Sequence, residues 1–237
     1  MKFARPEVFP YARFKISGTE NIPTDGAAII CGNHRSYFDI AAVSLAVAKT
    51  GRAVRFLGKK EVFDAPVIGP LAAALGGIRV ERGTGSDEPL RAATESLVAG
   101  DLVALMPQGT IPRGRAFFDP VLKGRWGAAK LAAQTKAPVI PIGIWGTEKV
   151  WPRNAKLPNI TNVTSPPEVV IVVGTPVHLG YTDPDADTAA IMSAISALLP
   201  PEGREYYEPT EDELRRSYPS NYAGDPNAED GRRPGTD

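Results

Sequence analysis

Ala27-Ala28-Ile29-Ile30-Cys31-Gly32-Asn33-His34-Arg35-Ser36-Tyr37-Phe38-Asp39 is an apolar run, a glycine and a polar turn that ends in a carboxylate. The run 27–31 is short and unbroken, which reads as a buried strand. Ile40-Ala41-Ala42-Val43-Ser44-Leu45-Ala46-Val47-Ala48 then continues as a helix, with Asn33 or Ser36 placed to cap it. A buried strand, a tight polar turn and a helix together form the opening unit of an α/β layer structure.

The turn also carries chemistry. The chain has two histidines, so His34 stands nearly alone as a group that can exchange protons near neutral pH. Residues five apart on one helix diverge by about 140°. His34 and Asp39 can therefore meet only if His34 precedes the helix and Asp39 opens it, and this sequence permits that. The residues alone leave two readings: a general base with its orienting carboxylate, or a surface histidine beside a capping aspartate.

Outward from this unit, strands and helices alternate. Residues 11–17, 54–57, 77–82, 102–106, 139–144 and 169–173 read as further strands, and 88–99, 126–135 and 188–199 as further helices. Residues 61–76 hold a helical pattern broken by Pro66 and Pro70. This order predicts one α/β domain with a mostly parallel sheet flanked by helices. From about residue 200 the chain gains Pro, Gly, Glu and Asp. The expected division is a domain over 1–217 and an acidic, disordered tail over 218–237, with Leu214-Arg215-Arg216 in a short helix docked on the body.

Length (237 residues) and 43% hydrophobic content support one sizeable core. The single cysteine, Cys31, excludes an internal disulfide and a cysteine-based metal site, and the other ligand types show no metal spacing. Met1-Lys2-Phe3-Ala4-Arg5-Pro6 lacks the apolar core of a secretion signal, so the cytosol is the expected compartment. The longest uncharged runs, 65–78 and 169–182, have 14 residues each, short of the roughly 20 that cross a bilayer. Membrane contact is expected to be peripheral. The net charge of zero hides an asymmetry, because residues 202–237 carry 10 acidic and 5 basic side chains, leaving 17 and 22 in residues 1–201. A mildly basic body suits anionic small molecules or an anionic lipid surface. No basic run interleaved with aromatics points to nucleic acid.

Four blocks stand out: Asn33-His34 to Asp39; Gly76-Gly77-Ile78-Arg79-Val80-Glu81-Arg82-Gly83; Met106-Pro107-Gln108-Gly109-Thr110; and Ala137-Pro138-Val139-Ile140-Pro141-Ile142. Their order and spacing resemble the glycerolipid acyltransferase family, best known as 1-acylglycerol-3-phosphate O-acyltransferases. His34 and Asp39 match that family's histidine, four intervening residues and aspartate. Arg82 matches the arginine of its second block, and Pro107-Gln108-Gly109-Thr110 matches part of its Pro-Glu-Gly-Thr-Arg. Gly58-Lys59-Lys60-Glu61-Val62-Phe63 is similar to its Lys-Glu-Leu-Phe segment.

The resemblance implies a glycerol-3-phosphate acyltransferase-like fold. It also implies acyl transfer from acyl-CoA or acyl carrier protein, as co-substrate, to a hydroxyl of a glycerol phosphate: 1-acylglycerol-3-phosphate, or alternatively glycerol-3-phosphate or another lysolipid, with no metal and no other cofactor. His34 is then the base and Asp39 its partner. Arg82 is the implied anion ligand. Lys59 is a candidate for the acceptor phosphate or the thioester carrier. Gly109 and Thr110 form a turn able to offer backbone N–H groups to an oxyanion. Arg79 and Arg82 differ in parity, so a regular strand turns only one of them toward the pocket.

Two positions depart from the family's pattern. Gln108, a substrate-binding candidate that can still hydrogen-bond, stands where Glu is usual and Ile111 where Arg is usual, with Arg113 two residues on as a candidate replacement cation. These departures bear on the acceptor and the position acylated. They also motivate a competing class, a catalytically silent lipid- or carrier-binding module.

Overall fold

In the computed structural model, which describes residues 6–59, 64, 77–80 and 88–223, the opening unit folds as its pattern predicts. Strand β2 (Ala28–Gly32) is buried along its whole length and leads through the turn to helix α1 (Asp39–Ala48). The other strands are β1 (Arg13–Ser17), β3 (Val54–Lys59), β4 (Ile78–Val80), β5 (Leu102–Leu105), β6 (Val139–Trp145) and β7 (Glu168–Val173). They form one sheet in the order β1-β7-β6-β2-β5-β3-β4. Five strands, β6 through β4, run parallel; β7 pairs antiparallel with β6, and β1 follows β7. The reversal at β7 is not visible in strand-by-strand patterning, because an apolar run carries no direction.

Both faces of the sheet are covered, which is why its central strands read as continuous apolar runs. Ala28 and Ile30 of β2, with Leu102 and Ala104 of β5, face a cluster completed by Ala42, Val43, Ala46 and Val47 of α1. Ile29, Cys31 and Val103 point the other way. There they meet α2 (Glu88–Val98), α4 (Gly127–Thr135) and α6 (Pro184–Ala197). Burial among these side chains pushes the Cys31 thiol far above its usual range.

Further short α-helices among the described residues are α3 (Arg115–Phe118), α5 (Thr147–Val150) and α7 (Glu211–Arg216). Helix α6 begins four residues before the expected start at 188. Asp183 caps it by accepting from the N–H groups of Asp185 and Ala186, and Pro184 occupies the first turn. A capping aspartate followed by proline is itself a start signal that apolar spacing alone does not use. Helix α7 docks through buried Leu214, as expected. The boundary at 217 shifts outward, however. Tyr218 is 3% exposed and Tyr222 stacks on it at 4.1 Å between centroids, so packing continues into the segment read as tail. The helical pattern at 61–76, apart from Asp64, lies outside the described residues. Among the described residues no helix is long and apolar enough to cross a membrane.

The topology sets up the site. Strands β6, β2, β5, β3 and β4 all deliver their carboxyl ends to one edge, where ligands of parallel sheets bind. The residues leaving that edge are, in spatial order, Thr147, His34, Gln108 and Lys59, with β4 ending two residues before Arg82.

Candidate active site

His34 sits in the turn between β2 and α1, and Asp39 is the first residue of α1. The His34 Nδ1 lies 2.8 Å from Asp39 Oδ2. The same oxygen accepts from the backbone N–H groups of Arg35 at 2.7 Å and Ser36 at 2.9 Å. An oxygen already receiving two N–H groups is an acceptor, so Nδ1 is assigned as the third donor and the ring lone pair falls on Nε2. Asp39 Oδ1 accepts from the Thr147 hydroxyl at 2.5 Å. Asp39 is fully buried and the His34 side chain is 19% exposed, so the carboxylate is sealed and the imidazole remains within a substrate's reach. The two residues expected to meet do meet, and the carboxylate lies beneath the surface, not at it.

Neither expected cap behaves as a simple helix cap. The Ser36 hydroxyl accepts from the Phe38 N–H at 3.1 Å and donates to the Trp151 carbonyl at 2.7 Å. Asn33 instead extends the sheet. Its Nδ2 donates to the Ile144 carbonyl at 2.8 Å, and its Oδ1 accepts from the Ile144 N–H at 2.7 Å. That pair holds the end of β2 against β6 where the backbone ladder stops.

Thr147 is a site residue the sequence reading missed. It follows Gly146, which has φ of 89°, and a Cβ on Gly146 would sit 2.2 Å from the Glu168 carbonyl oxygen. Glycine is therefore required twice there, by conformation and by space. The usable signal was a Gly-Thr pair at the carboxyl end of a strand adjacent to β2.

The loop after β5 approaches from the other side. Gln108 Oε1 accepts from the His34 backbone N–H at 2.7 Å, and Gln108 is itself buried. Gln108 was expected on the substrate; its carbonyl oxygen is instead committed to positioning His34. A neutral amide oxygen can make this bond, because the partner is an uncharged N–H that needs an acceptor and not a counter-charge. Ile111 is buried, so its position suits an apolar side chain. The carbonyls of Ile111 and Pro112 are held by the Arg153 guanidinium, at 3.0 Å for Pro112.

The oxyanion expectation needs correction at Gly109. Its N–H donates to the Met106 carbonyl at 2.8 Å, closing the turn in which Gly109 takes φ of 72°. That N–H is unavailable to a substrate while the turn stands, whereas half-buried Thr110 follows directly. Arg113 has its guanidinium 6.0 Å from the Tyr222 ring centroid. Lys59 closes β3 opposite Val80. Arg82 lies outside the described residues. His178 is exposed and distant in sequence from every element of the site.

Arg35 links the two loops. Its guanidinium lies between the Trp145 ring, 4.1 Å away, and the Phe117 ring, 4.2 Å away. Its Nε is 3.3 Å from Glu148 Oε2, an ion pair not aligned as a hydrogen bond.

Known proteins resemble the chain in sequence and in fold. The family model described as Acyltransferase matches residues 13–145, which include both site loops. An uncharacterized protein of Mycobacterium tuberculosis is 34% identical over 151 residues, covering 59% of this chain and 39% of its own. A chloroplastic 1-acyl-sn-glycerol-3-phosphate acyltransferase of Brassica napus, BAT2, is 27% identical over 83% of this chain and 54% of its own. The chain thus spans less than two thirds of the length of these curated relatives. In fold, it matches the crystal structure of the 1-acyl-sn-glycerophosphate acyltransferase PlsC from Thermotoga maritima with a TM-score of 0.61, at 24% identity, covering 83% of this chain and 76% of that one. With its histidine–aspartate pair seated inside the matched region, the chain belongs to the acyltransferase family.

Proposed function

We propose that the protein moves a fatty acyl group from acyl-CoA or acyl carrier protein to the free hydroxyl of 1-acylglycerol-3-phosphate, giving phosphatidic acid. The observation that carries this reading is the sealed Asp39 carboxylate holding Nδ1 of a partly exposed His34. An alcohol is a poor nucleophile until a base accepts its proton. His34 Nε2 takes that proton as the hydroxyl oxygen bonds to the thioester carbonyl carbon. The tetrahedral intermediate then collapses, the carbon–sulfur bond breaks, and the leaving thiolate recovers the proton from the imidazolium. Asp39 stabilises the imidazolium between these steps. The enzyme forms no covalent bond, and it needs no cofactor beyond the thioester co-substrate.

On this reading Arg82, Lys59 and Arg113 are the candidates for the acceptor's phosphate. The Thr110 N–H replaces that of Gly109 as the candidate oxyanion donor. The work site is the inner face of the cell membrane, reached from the cytoplasm as a peripheral protein, with acyl carrier protein as a candidate donor partner.

The test is thiol release from acyl thioesters across a set of glycerolipid acceptors. We expect release that depends on a lysophosphatidic acid, and His34→Ala should lower it by about 10²–10⁴-fold with the fold intact. A folded His34→Ala variant that keeps most of the activity would refute the assignment. Absence of release with every acceptor would favour a silent binding module.

A further inference from the structure

The connection between α5 and β7 carries a combination of features that its packing does not explain. Within it Leu157, Ile160 and Val163 are 76%, 59% and 52% exposed. Single exposed apolar residues are ordinary, but three within seven residues concentrate aliphatic surface on one connection. They are not on a loose strand of chain. Asn159 N–H donates to the Val150 carbonyl at 3.0 Å, and Trp151 Nε1 donates to the Ala155 carbonyl at 3.1 Å. The connection is therefore folded back and presents these side chains from a fixed base.

Charge on the connection is one-sided. Between Glu148 and Glu168 there is no Asp or Glu, while Lys149, Arg153 and Lys156 are present, and the bordering Glu168 carboxyl is lowered by Lys15 first, then by Arg13 and Lys149. Arg153 is turned inward to the carbonyls of Ile111 and Pro112; Lys149 and Lys156 are exposed. Apolar side chains flanked by lysines suit an anionic bilayer, with the former entering the headgroup boundary and the latter meeting lipid phosphates. A carrier protein would be met by cations without needing three aliphatic residues in water.

The base of the connection is also the wall of the active site. Trp151 accepts the Ser36 hydroxyl through its carbonyl, and its ring lies 5.5 Å from that of Tyr37, which is itself exposed beside His34. We infer that residues 149–167, the end of α5 and the connection that follows it, are a membrane-docking surface that seats the protein on an anionic bilayer with the His34 turn facing the lipid interface. This rests on the acyltransferase reading only for its purpose, because a lysolipid acceptor resides in that interface.

Co-sedimentation of the full chain with vesicles of equal parts phosphatidylcholine and phosphatidylglycerol tests it. The wild type should bind. The triple variant Leu157→Ser, Ile160→Ser, Val163→Ser should bind about tenfold or more weakly, from the loss of partly buried aliphatic area. Lys149→Gln and Lys156→Gln should each weaken binding about fivefold and reduce its salt dependence. Thiol release with short-chain acceptors free in solution should be unchanged in all of these variants. Vesicle binding that is absent in the wild type, or equal in wild type and triple variant, overturns the inference. Lysine variants that lose affinity for acyl carrier protein but not for vesicles would reassign the surface to that partner. Failure of the catalytic reading is separate, since it appears as missing thiol release in solution whatever the vesicles show.

Discussion

The two loops that meet at the carboxyl edge of the sheet are held in opposite ways. The loop after β2 is wired from within: Asp39 gathers His34, Arg35 and Ser36, the neighbouring strand β6 supplies Ile144, and α5 just beyond it supplies Thr147. The loop after β5 is braced from far along the chain. Arg153 holds Ile111 and Pro112, the Ser217 hydroxyl accepts from the Gly114 N–H at 2.8 Å, Glu208 pairs with Arg115, and the Tyr207 ring lies 6.2 Å from that of Phe118. The first set of contacts lies within or beside residues 13–145, and the second comes from beyond them. The chemical pair is thus built by the α/β core, whereas the loop beside it takes its path from the C-terminal segment.

Breaking the first loop should have the largest effect. Asp39→Asn keeps an oxygen for the Arg35 and Ser36 N–H groups but removes the charge that steadies an imidazolium. We expect kcat to fall by about 10²–10⁴-fold with little change in thermal stability. Thr147→Val is the companion, because it leaves the fully buried Oδ1 without its donor. It should cost about 1–3 kcal/mol of stability, read by denaturant unfolding, and lower kcat less than Asp39→Asn. The reverse order in kcat would mean that orientation through Thr147, and not the charge, is what the site needs.

Arg35 sharpens the comparison because it belongs to the first loop and is gripped by the second. Removing it exposes two aromatic faces and leaves Glu148 without its cation. Arg35→Ala should lose about 1–3 kcal/mol, the sum of two partly desolvated cation–π contacts and an ion pair. Arg35→Lys should recover only part, since an ammonium lacks the flat surface that two rings sandwich. In kinetics, the alanine variant should raise the acceptor KM more than it lowers kcat, because Asp39 still orients His34. Equal loss in both would show the loops to be one unit.

What could be read in advance follows the same division. Strand β2, helix α1 and the His34–Asp39 contact were legible because each depends on residues close in sequence. An apolar run, a turn and a helix with a carboxylate in its first turn leave little freedom. Helix α4, expected over 126–135, spans Gly127–Thr135 for the same reason. Thr147 was not legible without the strand order, since nothing local says that β6 lies beside β2. Gln108 was visible as a departure, but its task was not. Its partner is a backbone N–H, and backbone groups have no sequence signature. The bracing of the second loop was least legible of all, because Ser217 and Glu208 sit in a segment whose composition read as the approach to a disordered tail.

That segment yields the smallest and most local effect. The Thr210 backbone N–H, then the Thr210 and Tyr207 hydroxyls, hold the Glu213 carboxyl below its usual range at the start of α7. The Tyr206 hydroxyl and Arg115 do the same for Glu208. A carboxyl depressed in the folded state stabilises it above the ordinary carboxylate range, and that contribution is lost as pH falls through the depressed value. Acid should therefore loosen residues 206–218 before it disturbs the core. Hydrogen exchange, corrected for its intrinsic pH dependence, should rise there below about pH 4 while residues 33–39 stay protected. Glu213→Gln should flatten the response around α7, because an amide accepts the same N–H without titrating. Simultaneous loosening of both loops would contradict the division, since it would make the C-terminal brace a part of the catalytic core instead of an attachment to it.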